Sequence, residues 1–286
     1  MHLNLNNLIA RAKLLKFIRA FFDERGFVEV ETPVRIDAPA PEPYIECPPC
    51  GKSFLRASPE LQMKKLLALG MEKIYQIGPC FRDGEKGSRH NPEFTMLEWY
   101  RANADYNDIA HDMELLISGI FKEFHGVELP TPFERISVRD IYVERAGWDP
   151  VESWDEARFD YDMATVIEPF LPQTPLFLID YPAQAASLAR LKKGDETVAE
   201  RWELYLGGVE VANAFSELTN ALEQRDRFVQ ARKKRAETGS CDYPIDEEFL
   251  QMLQSMPRSG GVALGIDRLV MAVTSASSID EVRVLK

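Results

Sequence analysis

Phe81 to Tyr100 reads FRDGEKGSRHNPEFTMLEWY: a polar interval of arginines, a histidine and an asparagine that gives way at Phe94 to an apolar run carrying Glu98. Ile74 to Phe81 on one side and Phe94 to Arg101 on the other have the composition of buried strands. The interval from Arg82 to Glu93 is long enough for an extended hairpin loop, which predicts that the two strands are antiparallel neighbours. Cationic and aromatic side chains gathered on a loop between buried strands suit a site for ATP and a charged small substrate.

Outward from this hairpin, Leu8, Ala12, Leu15, Ile18 and Phe22 recur at helical spacing, Gly26 is a helix stop, and Phe27 to Glu31 alternates as a strand before Pro33. Asp37 to Lys52 (DAPAPEPYIECPPCGK) is proline-rich and is predicted as an ordered loop or short linker, followed by a helix from about Pro59 to Leu69. Asp105 is placed to cap a helix reaching Phe124, with Gly126 beyond its end. The stretch from Pro130 to Leu191 holds short helices and the strand Leu176 to Asp180. Arg201 to Leu206 and Val209 to Leu218 read as strands around the turn Gly207-Gly208, and a helix follows from Ala221 to about Glu237. The last motif, Gly260 to Ile266, runs into a helix start at Asp267-Arg268. Hairpins outnumber helical crossovers, so the expected fold is α+β, a largely antiparallel sheet flanked by helices in a single domain spanning residues 1–286.

Composition narrows the function. Of 286 residues 45% are apolar, enough for a sizeable core, and no run of 18 apolar residues occurs. Arg11 and Lys13 interrupt the N-terminal apolar pattern, unlike a signal peptide, and a cytoplasmic protein with no membrane partner is expected. With 34 basic against 46 acidic residues the formal charge is −12, which disfavours nonspecific clamping of a polyanion. The dense basic run Arg225 to Arg235 (RDRFVQARKKR) reads as the solvated face of a helix. Cys47 and Cys50 in CPPCG form half of a zinc knuckle without a second half, and a plain turn with two thiols is the expectation.

Several residues carry chemistry. Arg82, at a strand end, offers a rigid guanidinium that could meet a phosphate at two points, and Arg89 and His90 lie on the loop beyond it. Each of these taken alone is equally a solvent-facing hairpin residue. Phe94 is either core or a platform for a nucleobase, and Arg268 could cover the base's other face. Glu60, Glu98, Glu203, Glu210 and Glu217 fall on or beside apolar segments, where an unpaired charge is costly. Glu203, Glu210 and Glu217 are seven residues apart, an odd step that alternates faces on an unbroken strand. The turn at Gly207-Gly208 leaves Glu203 and Glu210 free to converge on an oxygen-ligated Mg²⁺ with ATP phosphates, or to be exposed glutamates of half-buried strands.

Pro33 after a helix and strand, Phe81-Arg82 with HNPEF and Glu98, and Gly265-Ile266-Asp267-Arg268 resemble motifs 1, 2 and 3 of the class II aminoacyl-tRNA synthetases. HNPEFTMLEWY, NAFSEL (Asn213 to Leu218) and GVALGIDRLVM are similar to the lysine branch in particular, and most of all to its elongation factor P lysine ligases, from about Leu8 to Leu285. The resemblance implies a lysine adenylate made from ATP with Mg²⁺. Arg82 would hold the α-phosphate, with Arg268 and His90 towards the γ-phosphate and Arg89 on the distal phosphates. Phe94 would stack on adenine with Asn91 near it, and Gly265 would be among the ATP-binding residues. Glu203 and Glu210 match the metal ligands. Lysine would place its α-amine near Glu60, its carboxylate near Arg82 and Asn213, and its ammonium near Glu98, Tyr100 and Glu217, with Phe215 along the methylenes. Motif 1 implies a homodimer.

Two departures stand out. The family usually has glutamate two residues after the motif 2 arginine, whereas here that position is Gly84 and the carboxylate, Glu85, stands one residue later. Ala263 stands where lysyl-tRNA synthetases usually have glycine and the elongation factor P ligases alanine, a change that implies preference for (R)-β-lysine over lysine. The catalytic pattern starts by residue 8, so elongation factor P, not tRNA, is the expected acceptor, without an anticodon-binding domain and without stable tRNA binding. Alternatives are a stand-alone lysyl adenylate ligase acting on tRNA or a small molecule, and an inactive regulatory paralogue.

Overall fold

Residues 4–284 are described by a computed structural model, in which the chain divides into two compact units: 4–103 with 218–259 and 263–284, and 104–217 with 260–262. The first begins with α1 (Leu5–Asp23), capped by Asn4, whose side chain accepts from the Asn6 N–H. Leu14, Ile18, Phe21 and Phe22 are its buried residues at helical spacing. Short strands β1 (Val28–Glu29), β2 (Arg35–Ile36), β3 (Pro49–Cys50) and β4 (Ser53–Leu55) lead to α2 (Glu60–Ala68). The long hairpin β5 (Lys73–Phe81) and β6 (Glu93–Ala102) is antiparallel, in register from Lys73↔Arg101 to Phe81↔Glu93. β1 adds to β5 in parallel.

The second unit opens with α3 (Tyr106–His125), started by a capping box on Asp105 and stopped by left-handed Gly126. There follow β7 (Glu134–Ser137), α4 (Val138–Arg145), α5 (Glu156–Asp162), β8 (Leu176–Pro182), β9 (Leu191–Lys192), β10 (Asp195–Leu206) and β11 (Val209–Ser216). Their order is β11-β10-β8-β7, with β9 also on β10; β7 and β8 run parallel, and β10 is antiparallel to β8, β9 and β11. The buried Trp202 indole N–H donates to the Tyr106 carbonyl at 2.7 Å, and its ring meets Phe177 edge-on. The chain then returns to the first unit through α6 (Ala221–Thr238), α7 (Glu247–Leu253), β12 (Ser259–Gly265) and α8 (Ile266–Thr274).

Antiparallel pairings dominate and helices pack on the strands of each unit, α8 and α2 on β6, α3 on β11, α4 on β8. The fold is α+β, a largely antiparallel sheet flanked by helices. In the first unit Phe22 stacks on Tyr75 at 4.7 Å and leans on Trp99, so the helix ahead of motif 1 is held by the motif 2 hairpin.

Two expectations are corrected. The proline-rich segment is not only a loop: β3 and β4 within and after it form a small three-stranded sheet with β2. The basic run of α6 is not entirely a solvated face, because Arg235 has no exposed surface. Its guanidinium donates to the carbonyls of Glu42, Ile45 and Cys241, pairs with the Glu46 carboxylate at 2.8 Å, and lies 4.1 Å over the Tyr243 ring. Three backbone carbonyls turned inward need a donor with several fixed N–H groups, and arginine supplies them.

Candidate active site

At the mouth of the β5–β6 hairpin the Arg82 backbone N–H donates to the Pro92 carbonyl at 2.8 Å, pinching the loop at its neck. The Arg82 guanidinium is thereby set over Phe94 at 5.2 Å, with one end 3.6 Å from the Glu85 carboxylate. Its Nε is buried and has no hydrogen-bond partner among the described residues. An unsatisfied donor on a cation costs on the order of 1–3 kcal/mol or more, so this group is arranged for an acceptor that comes from outside the protein. Phe94 is half-buried, which leaves ring surface for stacking.

Gly84 lies at φ +78°, a backbone that side-chain-bearing residues rarely adopt. The family's usual glutamate would be strained here, and Glu85, half-buried, is the nearest carboxylate to Arg82 instead. Asp83, just before it, donates its backbone N–H to the Glu46 carbonyl at 2.7 Å, so the segment held by Arg235 also anchors the start of the loop.

Arg268, at the start of α8, donates to His90 Nε2 at 2.6 Å and reaches the Arg89 carbonyl at 3.5 Å. Arginine has no acceptor, so that ring nitrogen is unprotonated. Partial burial of the ring and then the Arg268 charge lower the His90 pKa, which keeps it neutral at pH 7. Asn91 turns its amide to the Glu93 carbonyl at 2.6 Å, and the Arg89 side chain is exposed. Gly265 sits at the N-cap of α8. Arg82 and His90 on the loop, Phe94 at the start of β6 and Arg268 at the start of α8 thus come together, whereas Arg89 and Asn91 are on that loop with side chains directed elsewhere or to solvent.

Asp267 was not anticipated as a partner of this group. Buried, it accepts from Arg11 at 2.5 Å, from Arg283 at 3.0 Å and from the Thr95 N–H at 2.8 Å. It therefore ties the start of α8 to the residue after Phe94. Its sequence signals are its place in Gly265-Ile266-Asp267-Arg268 and a carboxylate in the first turn of an apolar helix.

On the same hairpin Glu98 is 1% exposed and accepts from Ser58 Oγ at 2.6 Å and Tyr100 Oη at 2.8 Å, with no cation bonded to it among the described residues. Burial, and next the charge of Glu60, push its pKa up to about 7. Glu60 itself heads α2 and is ion-paired with buried Lys64 one turn on. Also overlooked was Arg56, 1% exposed, which donates to the Thr32, Pro33 and Pro79 carbonyls and fixes the motif 1 proline. Gly78 leaves room for it: a Cβ there would stand 2.7 Å from its guanidinium.

In the second unit the register of β10 with β11 pairs Arg201 with Phe215, Glu203 with Asn213 and Tyr205 with Glu210. Directly opposite residues point to one face, so all six share it. Seven residues separate Glu203 from Glu210, and a bulge at Val211 restores the phase: Leu204 faces Ala212 but Tyr205 faces Glu210. The same alternation continues to buried Glu217, which bridges to Ala189. Glu203 accepts from Arg201 at 2.6 Å, Tyr181 at 2.6 Å and Tyr205 at 2.9 Å. Tyr181 and Tyr205 have pKa values well above the usual tyrosine range, from burial and then the Glu203 charge, so both hydroxyls stay protonated donors. Ala263 is half-buried on β12.

The cysteines of CPPCG are free thiols. Cys47 is buried, with its backbone N–H on Tyr243 Oη at 2.7 Å, and burial raises its pKa to about 11.

Residues 3–285 match the model of tRNA synthetases class II (D, K and N). The chain is similar to the elongation factor P (R)-β-lysine ligase of Histophilus somni (strain 2336), 37% identical over 98% of this chain and 94% of that protein. It is 38% identical to the ligase of the same name from Edwardsiella ictaluri (strain 93-146), over 96% and 93%. Lysine–tRNA ligase of Listeria welshimeri is 36% identical over 97% of this chain and 63% of its own length.

Proposed function

The chain belongs to the class II tRNA synthetase family of the D, K and N type, and from that premise we propose that it activates lysine with ATP and transfers it to a lysine side chain of elongation factor P. It is a ligase that forms AMP. The observation that carries the reading is Glu98, a buried carboxylate held by two hydroxyls and supplied with no cation of its own among the described residues. An ammonium-bearing substrate satisfies it; a neutral one does not.

The substrate carboxylate oxygen attacks the α-phosphorus of ATP, the bond to the bridging oxygen breaks, and pyrophosphate leaves. The acceptor amine then attacks the carbonyl carbon of the adenylate, and AMP departs. No side-chain nucleophile is required; the rate comes from positioning and charge neutralisation. Arg82 is the catalytic residue at the α-phosphate, where its unpartnered Nε and its Nη atoms face charge that grows as phosphorus is attacked. Arg268, steadied by neutral His90, serves the γ-phosphate, and Arg89 the distal phosphates from the loop. Adenine stacks on Phe94, with Asn91, Glu85 and Gly265 near it. The α-amine is assigned to Glu60, the carboxylate to Arg82 and Asn213, the side-chain ammonium to Glu98, Tyr100 and Glu217, and the methylenes to Phe215.

Glu203 and Glu210 fit Mg²⁺, since both lie on one face of β10–β11 and Glu203 uses three of its roughly four acceptor positions, leaving room for a ligand. When bound with ATP the ion neutralises phosphate charge.

(R)-β-lysine is the preferred isomer on the strength of Ala263, and a homodimer is the proposed assembly on the strength of motif 1. One family model covering residues 3–285 supports a single catalytic domain. The acceptor reading is supported by relatives named for elongation factor P that match over nearly their full length. The acidic charge of −12 speaks against nonspecific clamping of a polyanion such as tRNA. No described helix is long and apolar enough to cross a membrane. Lysine–tRNA ligase similarity makes tRNA the second acceptor to test. An inactive regulatory role is disfavoured because Arg82, Glu98, Glu210 and Arg268 are all present.

Labelled lysine and (R)-β-lysine supplied with ATP to elongation factor P or to total tRNA test the whole reading. Labelled factor, with (R)-β-lysine the better isomer, is expected; labelled tRNA with unlabelled factor overturns it.

A further inference from the structure

Arg201 holds a position that none of the motifs accounts for. All three kinds of its guanidinium nitrogen are committed: Nη1 to the Ala185 carbonyl at 2.6 Å, Nη2 to Glu203 at 2.6 Å and Nε to the Asn213 side-chain oxygen at 3.2 Å. Tyr181 lies 4.3 Å from the guanidinium carbon and Phe215 5.8 Å, so the plane is fixed as well as the charge. The side chain is only 15% exposed.

An arginine donates and never accepts, so the Asn213 amide can meet Nε only through its oxygen. That fixes which end of the amide is left over. The Asn213 NH₂ donates to no protein group among the described residues, and Asn213 is half-buried on the same face as Glu203 and Phe215. We propose that Arg201 is a positioning residue for carboxylate recognition: it locks the Asn213 amide with its oxygen inward, so that two N–H donors, and not an acceptor, are what the substrate's carboxylate end meets. A freely turning amide would offer its oxygen as readily, which a carboxylate is repelled by and a carboxamide N–H can donate to. The inference rests on the assignment of Asn213 to the substrate carboxylate.

The test is a binding comparison without ATP, by calorimetry, of lysine against lysinamide, which differ only at that end. For the intact chain, preference for lysine by about tenfold or more is expected, the scale of one well-placed charged hydrogen bond. Arg201→Lys keeps a positive charge but not the flat fork. It should lower the ratio by several-fold, down to the preference that Arg82 alone supplies, chiefly by weakening lysine, while lysinamide affinity moves by less than about threefold. A merely structural role would weaken both ligands together and leave the ratio unchanged, and that result in a cooperatively melting variant overturns the proposal. If Arg201→Lys does not fold, Arg201→Met, which retains the apolar stem without donors, takes its place with the same expectation. Failure of both variants to fold overturns a positioning role in favour of a structural one. If the intact chain itself shows no preference between the two ligands, the assignment of Asn213 to the carboxylate is what falls.

Discussion

Glu98 on β6 and Glu203 on β10 are both largely buried carboxylates, and they are satisfied in opposite ways. Glu98 has two neutral hydroxyls and a pKa raised to about 7 by burial and Glu60. Glu203 has two tyrosine hydroxyls and, in addition, an arginine at 2.6 Å. A buried carboxylate without its own cation is held ready for one that a ligand brings, whereas one already paired fixes its neighbours and keeps only a single acceptor position for a metal ion. The first arrangement favours binding over stability; the second supports both.

The largest effect is expected away from either carboxylate and sets the scale for both. Arg82→Ala should lower adenylate formation, followed by pyrophosphate exchange, by about a thousandfold or more, because the donor that meets the α-phosphate is lost. Glu98→Gln should weaken lysine binding by about a hundredfold or more while raising the melting temperature of the ligand-free protein, since the amide keeps both hydroxyl partners and removes a buried charge. Glu203→Gln should move stability the other way, lowering it by about 2 kcal/mol in denaturant titration, as buried Arg201 loses its counter-charge. If the two glutamine variants shift stability in the same direction, the contrast is broken.

pH sharpens the same comparison. Because the folded-state pKa of Glu98 lies above its ordinary 4.5, the folded chain holds that proton between about 7 and 4.5 and the unfolded chain does not. The Glu98 contribution to stability therefore rises as pH falls through that window. Lysine binding needs the ionised form, so its affinity should fall by about tenfold per unit of pH below 7, and this dependence should vanish in Glu98→Gln. The smallest effect belongs to Tyr100→Phe, which removes one hydroxyl from Glu98, raises its pKa further and weakens lysine binding at neutral pH by about three- to tenfold.

The hairpin of β5 and β6, the capped helix after Asp105 and the turn at Gly207-Gly208 were legible because each is encoded by neighbours in sequence: alternation, a cap, a stop. The candidate residues of the motif 2 loop and of α8 were legible for the same reason, as short motifs with fixed spacing. Glu203, Glu210 and Glu217 were legible as carboxylates out of place among apolar residues, and the turn at Gly207-Gly208 left Glu203 and Glu210 free to converge, but spacing by seven put Glu217 on the face opposite Glu210. The bulge at Val211 is a choice of register between two strands, and no residue in either announces it.

What the sequence determined by itself is the class of fold and the kind of chemistry, because hydrophobic period, turn residues and three ordered motifs are properties of contiguous chain. Only the tertiary structure decided which buried charges are complete and which wait for a ligand. Arg235 looked solvated and Asp267 looked like an ordinary helix start, yet each is buried with partners as far as 193 and 256 residues away in the chain. Glu98 and Glu203 looked alike until their neighbours were known. The reason is physical: the free energy of a charge is set by the dipoles and counter-charges within a few ångströms of it, and folding brings those together from distant parts of the chain.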